Sequence, residues 1–544
     1  MRSFARTLVP ESLLSVVEIS LSLAALWIIG YVVYQRFLHP LAAYPGPIVA
    51  SLTDLWQVCE FMNLKQPYNL TDLHQKYGEF VRYGPDKLST TAEEAIPLIF
   101  QKGGRAFPKT EFYDAYGSTH PNVFGMRDEA VCTDCLYLTQ TILTSRIEEH
   151  SIRRRHMSHS FSMSSVKSME HHLDANLKLL KRKLAQHAQK QDTFDLKKVL
   201  HYYVIDVLGE LAFGQSFGVQ ASGDERLVPP VIEHSYLAAM TGAWPAMTQT
   251  LRKWLPRVPL SELRRLFEGR AACAALAACS VQRRMEELKD TRNHDPSVVE
   301  RRDILTSLIL AKDPETGRHL TQADLETEAF GFIIAGTHTT SATISLLFYH
   351  LLHAPEEMKK CVDEVDSQLT PLSEDKPAYS VTEVESSLPY LRQCIKENFR
   401  ITPVFTMPLA RRVVAPEGVL IAGRHFKQGT SVAVCNHAFH HNPSVWGDNH
   451  DIFDPGRWNA PEIAARSRYL MHFGLGGRQC IGKTLAQANI YKLTSTLLRE
   501  FEFSLVEAER PGRDKLPEIF SVGISDLKNP LMVRVKARTA KFKV

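Results

Sequence analysis

Phe473-Gly474-Leu475-Gly476-Gly477-Arg478-Gln479-Cys480-Ile481-Gly482 is the stretch from which the rest of this 544-residue chain can be read. It sets one cysteine at the start of a helix, behind a loop of three glycines and an arginine. Glycine lets a backbone come close to a flat group with no Cβ in the way. Free N–H groups at a helix start favour an anion, and so favour the sulfur as thiolate. Arg478, two residues before the sulfur, can pair with a carboxylate. Together these are the local requirements for holding haem, with iron on Cys480 and a propionate on Arg478. The competing reading is a buried structural cysteine after a Gly-rich turn.

The pattern F-G-x-G-x-R-x-C-x-G is intact at every fixed position. It resembles the haem-binding loop of the cytochrome P450 family, the haem-thiolate monooxygenases. The resemblance implies a mainly α fold with small β-sheets. It implies haem b as cofactor, Cys480 as axial iron ligand, and Phe473 and Arg478 beside the haem.

Composition agrees with a large enzyme and excludes little else. The apolar fraction of 44% supplies a sizeable core, and a net charge of +4 is too weak to argue for nucleic acid. Nine cysteines without a regular framework read as reduced thiols facing a cytosol. Cys132 and Cys135 form a lone C-x-x-C, weak evidence for metal or redox chemistry. The N-terminus departs from the rest. From Leu13 to Tyr34 about 22 residues are apolar or small apart from Glu18, long enough to span a bilayer. No small-residue cleavage site follows, so an uncleaved anchor is expected. Tyr44-Pro45-Gly46-Pro47 then makes a stiff turn. Residues 1–44 are expected to be anchor and linker, and 45–544 one catalytic domain. Microsomal members of the family have a similar hinge, which implies a single-pass protein of the endoplasmic reticulum with its body in the cytosol.

Long amphipathic stretches run from Arg146 to Phe217 and from Leu260 to Leu310. Strand-like segments lie at Gly78–Tyr83 and Gly418–Val434, and Lys289–Arg301 reads as a polar loop. One helix is sharply marked. Thr321-Gln322-Ala323-Asp324 is a capping-box variant, and Ala354-Pro355 ends the run. About 30 residues at 1.5 Å each span about 45 Å, enough to cross the domain. Inside it, Gly331, Ile334, Ala335, His338 and Thr339 fall on one face. Small residues at 331, 335 and 336 leave room for a planar cofactor. The stretch Ala335–Thr340 resembles the family's distal motif, which implies that Thr339 bonds dioxygen and aids proton delivery. The motif's acidic position is His338 here. Histidine can move protons near neutral pH, and a water chain can do so in its place.

Glu397-Asn398-Phe399-Arg400 puts a carboxylate and a guanidinium on one helix face. Phe453-Asp454-Pro455-Gly456-Arg457-Trp458 follows downstream. In the family these supply a Glu–Arg–Arg network, so Glu397, Arg400 and Arg457 are expected to brace the thiolate loop. His150 and Arg154 stand where the family has W-x-x-x-R on the haem propionates. Arg411 or Arg412 is expected to add another contact; Arg412 is the assigned candidate, with the pair left open. The pocket is expected from Gly331, Ile334 and Ala335, from Val404, Phe405 and Met407, and from Val522 and Ile524, with a lid around Phe112–Phe124. These are mostly apolar, so a lipophilic substrate is expected.

The family chemistry activates dioxygen and hydroxylates a bound substrate. No nicotinamide or flavin fingerprint is visible, so electrons are expected from NADPH through a partner cytochrome P450 reductase, with cytochrome b5 as a further donor. Arg153, Arg155 and Lys483 are candidates for docking it. Glu397–Leu409 and His472–Ala486 resemble filamentous-fungal members that tailor polyketides or polyketide–peptide hybrids. Alternatives are oxidative ring expansion of a tetramic acid to a 2-pyridone, a non-oxygenating haem-thiolate isomerase or dehydratase, and a non-catalytic haem carrier.

Overall fold

The computed structural model describes residues 11–101, 107–117, 120–127, 150–294, 303–313, 317–373, 375–506 and 512–538. Cys132 and Cys135, residues 118–119 of the lid, and the end of the polar loop lie outside them. The chain is mainly helical, with four small sheets among the described residues.

The helices that matter for the site are α1 (Glu11–Val33), α2 (Glu170–Lys190), α3 (Leu196–Phe213), α4 (Val231–Ala243), α5 (Ser261–His294), α6 (Gln322–His353), α7 (Pro355–Gln368), α8 (Pro389–Ile401) and α9 (Lys483–Glu500). Helix α5 carries the polar segment expected as a loop as far as His294. Its Glu, Lys and Arg are good helix formers, and no proline intervenes before Pro296.

Helix α6 begins and ends where its sequence signals stand. Thr321 Oγ1 accepts from Asp324 N at 3.2 Å, and Asp324 Oδ2 accepts from Thr321 N at 3.1 Å. Pro355 then opens α7 as its first residue. α6 packs against α3, α4, α5 and α8 and is the central strut of the main core.

One sheet has the order β1-β2-β7-β4. β1 (Phe80–Arg82) pairs antiparallel with β2 (Lys87–Thr90). β2 runs parallel to β7 (Ser431–Val434), and β4 (Arg411–Arg412) antiparallel to β7. β3 (Phe194–Asp195) and β8 (Phe501–Leu505) flank β11 (Met532–Ala537), while β5 (Val419–Ile421) and β6 (Arg424–Phe426) form a hairpin. β9 (Ile519–Ser521) and β10 (Ser525–Leu527) form another, whose turn docks on the chain after α8: Ser525 N donates to Val404 O at 2.6 Å.

The apolar run Ser15–Leu38 has a mean hydropathy of 2.1 and is exposed from Ser15 to Gly30. Its end is fastened to the body. Buried Arg82 donates to Gln35 O at 2.8 Å and to Gln35 Oε1 at 2.6 Å, and Tyr31 donates to Leu52 O at 2.9 Å. Gly46 is needed at this junction, because a Cβ there would lie 2.0 Å from Arg82 O.

Candidate functional site

The cysteine loop is held by its own backbone. Cys480 N donates to Phe473 O at 2.7 Å, and Gly474 and Gly476 both take φ of +67°. A Cβ on Gly476 would meet Phe100 O at 2.1 Å, so this glycine serves the approach of the 97–101 segment. The sulfur faces the start of α9. Burial pushes the Cys480 thiol up, while N–H groups of Gly482 and Lys483 and the charges of Arg154 and Lys483 pull it down. Cys480 is solvent-accessible although it lies deep in the fold, so it lines an internal cleft.

Helix α6 carries a second accessible surface inside the fold. From Phe330 onward its residues are buried, except Gly331, Ala335, Gly336 and Thr339. Gly331, Ala335 and Thr339 stand four residues apart, so they form one stripe. Gly336 serves packing instead, since a Cβ there would lie 2.6 Å from Leu208 Cδ1 on α3. Thr339 Oγ1 donates back to Ala335 O at 2.6 Å, which leaves its lone pairs open to a ligand donor.

Two residues expected on this stripe lie elsewhere. Ile334 is buried in the main core. His338 is 1% exposed and turned to β10, with Nε2 hydrogen-bonded to Asp526 Oδ2 at 3.2 Å. Lys197 Nζ meets the same Asp526 oxygen at 3.0 Å. Burial opposes ionisation of Asp526, but His338 and Lys197 outweigh it and hold its carboxyl below the usual range. The assignment of His338 to catalysis beside Thr339 is therefore corrected: neighbours on a helix point about 100° apart. Asp526 and Lys197 were missed; the only sequence signal was a lone acid two residues after Ile524.

The lid is tied to α6. Val123 N donates to Glu328 Oε1 at 3.0 Å, and Asn122 Nδ2 would lie 3.0 Å from a Cβ on Gly331. Burial pushes Glu328 up to about 7, against Arg153 and the Val123 amide. Arg153 is buried and pairs with Asp324 at 2.5 Å and Glu328 at 3.4 Å, so it is not a surface docking residue. Under the lid, Met407 Sδ accepts from Tyr116 O–H at 3.1 Å and is enclosed, as is Val522. Phe405 remains partly open, its ring 6.4 Å from Phe124.

A group of cations stands beside the sulfur. Lys109 interacts electrostatically with Arg154, Arg411 and Arg478, and Arg154 also with Cys480. Burial lowers all three of Lys109, Arg154 and Arg478, the last to about 10. His150 joins them, held near 3 by burial and then by Lys109 and Arg154, so it stays neutral. Arg411 faces the group and donates to Tyr113 Oη at 2.6 Å. Arg412 faces away and is paired with Glu111 at 2.6 Å and Asp86 at 3.0 Å. Of the two arginines the geometry favours Arg411, and the assignment to Arg412 is corrected: neighbours on a strand point to opposite faces.

Behind the loop, Glu397, Arg400 and Arg457 come together and are buried. Arg400 donates to both Glu397 oxygens at 3.1 and 2.7 Å, and Arg457 Nε to Oε1 at 2.9 Å. Their remaining N–H groups go to carbonyls of His440, His450, Trp446, Asn449 and Ile452. Phe473 packs 5.4 Å from Phe399 on α8, linking loop to brace.

These residues fit a haem. An accessible cysteine stands at a helix start, a stripe of small residues on α6 stays accessible, and Lys109, Arg154 and Arg411 have no carboxylate partner among the described residues. A sequence profile of cytochrome P450 matches residues 109–530. The chain belongs to the cytochrome P450 family. It is a monooxygenase-type oxidoreductase, and the family implies haem iron, a redox partner and a small-molecule substrate. A benzoate 4-monooxygenase of Aspergillus niger is 28% identical over 515 residues, covering 89% of this chain and 92% of that one. A cytochrome P450 monooxygenase of Penicillium aethiopicum is 29% identical over 505 residues, covering 89% and 92%. Another from Emericella nidulans is 29% identical over 496 residues, covering 89% and 93%.

Proposed function

We propose that this P450 hydroxylates a lipophilic small molecule of the polyketide or polyketide–peptide class. The observation that carries the reading is that Cys480 and the Gly331–Ala335–Thr339 stripe both stay solvent-accessible within an otherwise buried core. Haem b, when bound, would supply dioxygen activation, favoured by a thiolate ligand. Cys480 would hold its iron, with the Gly482 and Lys483 amides stabilising the thiolate charge. Arg154, Arg411 and Arg478 would hold its propionates, with neutral His150 donating one N–H. Glu397, Arg400 and Arg457 fix the loop. Thr339 orients a hydrogen bond at the stripe, and the tied lid and Phe405 keep water from the apolar side.

Electrons come from NADPH through a partner reductase, with cytochrome b5 as second donor; Lys483 on the sulfur side is a docking candidate. Residues 1–44 are the anchor and linker and 45–544 the catalytic body, held on the cytosolic face of the endoplasmic reticulum. The benzoate monooxygenase among the relatives favours a second reading, an aromatic acid as substrate.

The test is the reduced carbon monoxide spectrum. Wild type is expected to give the thiolate band and Cys480→Ser to lose it; a variant that keeps it overturns the assignment. Thr339→Ala is expected to lower product formed per oxygen consumed, with the fold intact.

A further inference from the structure

We propose that His441, His450 and Asp451 form a divalent-cation site of the zinc type, set against the Glu397–Arg400–Arg457 brace. It is a structural site, apart from the cysteine loop, and the haem-protein reading above does not carry it.

The three side chains meet where two short segments come back to the end of α8. His441 ends the short helix Asn436–His440, and His450 and Asp451 belong to the turn that follows Gly447. His441 Nδ1 stands 2.5 Å from Asp451 Oδ1, and His450 Nδ1 stands 2.8 Å from the same oxygen. One ligand atom from each residue lies within 4.8 Å of the other two. His441 is buried, while the Asp451 side chain is 50% exposed, so a cation reaches the group from the carboxylate side.

The tautomer of His441 is fixed from outside the group. Its Nε2 lies 2.9 Å from Ile401 O, and a carbonyl only accepts, so Nε2 carries the proton. A neutral His441 then turns the Nδ1 lone pair onto a carboxylate oxygen, which repels it. Something positive must stand between them, either a second proton on the ring or a metal cation. A ring whose far N–H is held by a backbone carbonyl is the arrangement that orients a metal-ligating histidine. Two imidazole nitrogens and one carboxylate suit zinc rather than magnesium or calcium, with a fourth position left to water. Arg400 adds little repulsion, because Glu397 offsets its charge. A cation here fastens residue 441 to residues 450 and 451. Arg400 donates to the carbonyls of His440, His450 and Ile452, so the same cation pins the acceptors of the brace.

The test uses the full-length holoprotein without an affinity tag, stripped with a chelator and then offered zinc sulfate. Bound zinc is counted by elemental mass spectrometry after gel filtration, and affinity is read by competition with a chromogenic chelator. Wild type is expected to hold one zinc per chain that Asp451→Asn and His450→Gln lose, with affinity lowered about tenfold or more in each. Both variants keep the His450 carbonyl that receives Arg400. Their carbon monoxide thiolate band checks that they fold. Zinc is expected to raise the urea midpoint of haem release in wild type and in neither variant, and magnesium to leave it unchanged. Equal zinc in wild type and both variants marks an adventitious ion only and overturns the proposal. So does a wild type that retains none at micromolar zinc: the triad is then an ion group with His441 doubly protonated. The zinc count needs no haem, so failure of the haem reading shows separately, as a missing thiolate band.

Discussion

The two charged clusters flanking the cysteine loop are built on opposite plans. Behind the loop, Glu397 balances Arg400 and Arg457, and the spare guanidinium donors end on backbone carbonyls. That cluster is complete within the protein. On the cleft side, Lys109, Arg154 and Arg411 have no carboxylate among the described residues, and burial lowers Lys109 and Arg154. A charge group left open to the protein's own acids is a group prepared for an anionic guest. The difference teaches that one cluster serves the fold and the other serves binding.

Substitution can break this comparison directly. Glu397→Ala strands two buried guanidiniums, which costs about 3–5 kcal/mol when a buried pair is broken. We expect that loss in urea unfolding followed by tryptophan fluorescence. Arg154→Ala removes one of several like charges and should move the same transition by less than about 1 kcal/mol, while haem is released at lower urea. Equal losses of global stability in the two variants would end the distinction between brace and binding group.

A smaller effect sharpens the picture of the loop between them. Gly476→Ala puts a methyl 2.1 Å from Phe100 O at a φ of +67°, whereas nothing stands within 4 Å of a Cβ on Gly477. Backbone strain of this kind costs about 1–3 kcal/mol. Gly476→Ala should therefore lower the midpoint of haem loss, and Gly477→Ala should leave it within experimental error. Equal behaviour would mean that the loop yields more readily than its contact with the 97–101 segment implies.

How much of this was legible followed from the range of each interaction. The cysteine loop, the capping box of α6 and the Glu–Arg spacing on α8 are local patterns, and their chemistry can be named from the residues alone. The face of α6 was only half legible. An i, i+3, i+4 pattern allows a stripe wide enough to include Ile334 and His338, and tertiary packing chose 331, 335 and 339. The partner that turns His338 away, Asp526, is 188 residues distant and gives no local sign. Arg411 and Arg412 differ by one step on a strand, and only the pairing of β4 with β7 decides which faces the cleft. Lys109 was invisible, because a lysine in a loop reads as solvated until the fold closes over it.

The smallest effect separates the clusters by proton. His440 beside the brace and His150 beside the binding group are both held near 3, each first by burial, then by Arg400 for His440 and by Lys109 and Arg154 for His150. In the unfolded chain each titrates near the ordinary histidine value of about 6.5. Between about 3 and 6.5 the unfolded state thus binds more protons, so stability is full above that window and falls as pH drops into it. At pH 5.5 each histidine should cost about 1.4 kcal/mol. His440→Asn and His150→Asn should each flatten the stability–pH slope by about one proton. A haem propionate held by this group would offset the charges of Lys109 and Arg154 and should raise the His150 value. Loading the protein with haem should then shrink the His150 share of the slope and leave the His440 share as it was. Loss of both shares together would show that the ligand acts on the whole fold, and loss of neither would place it away from His150.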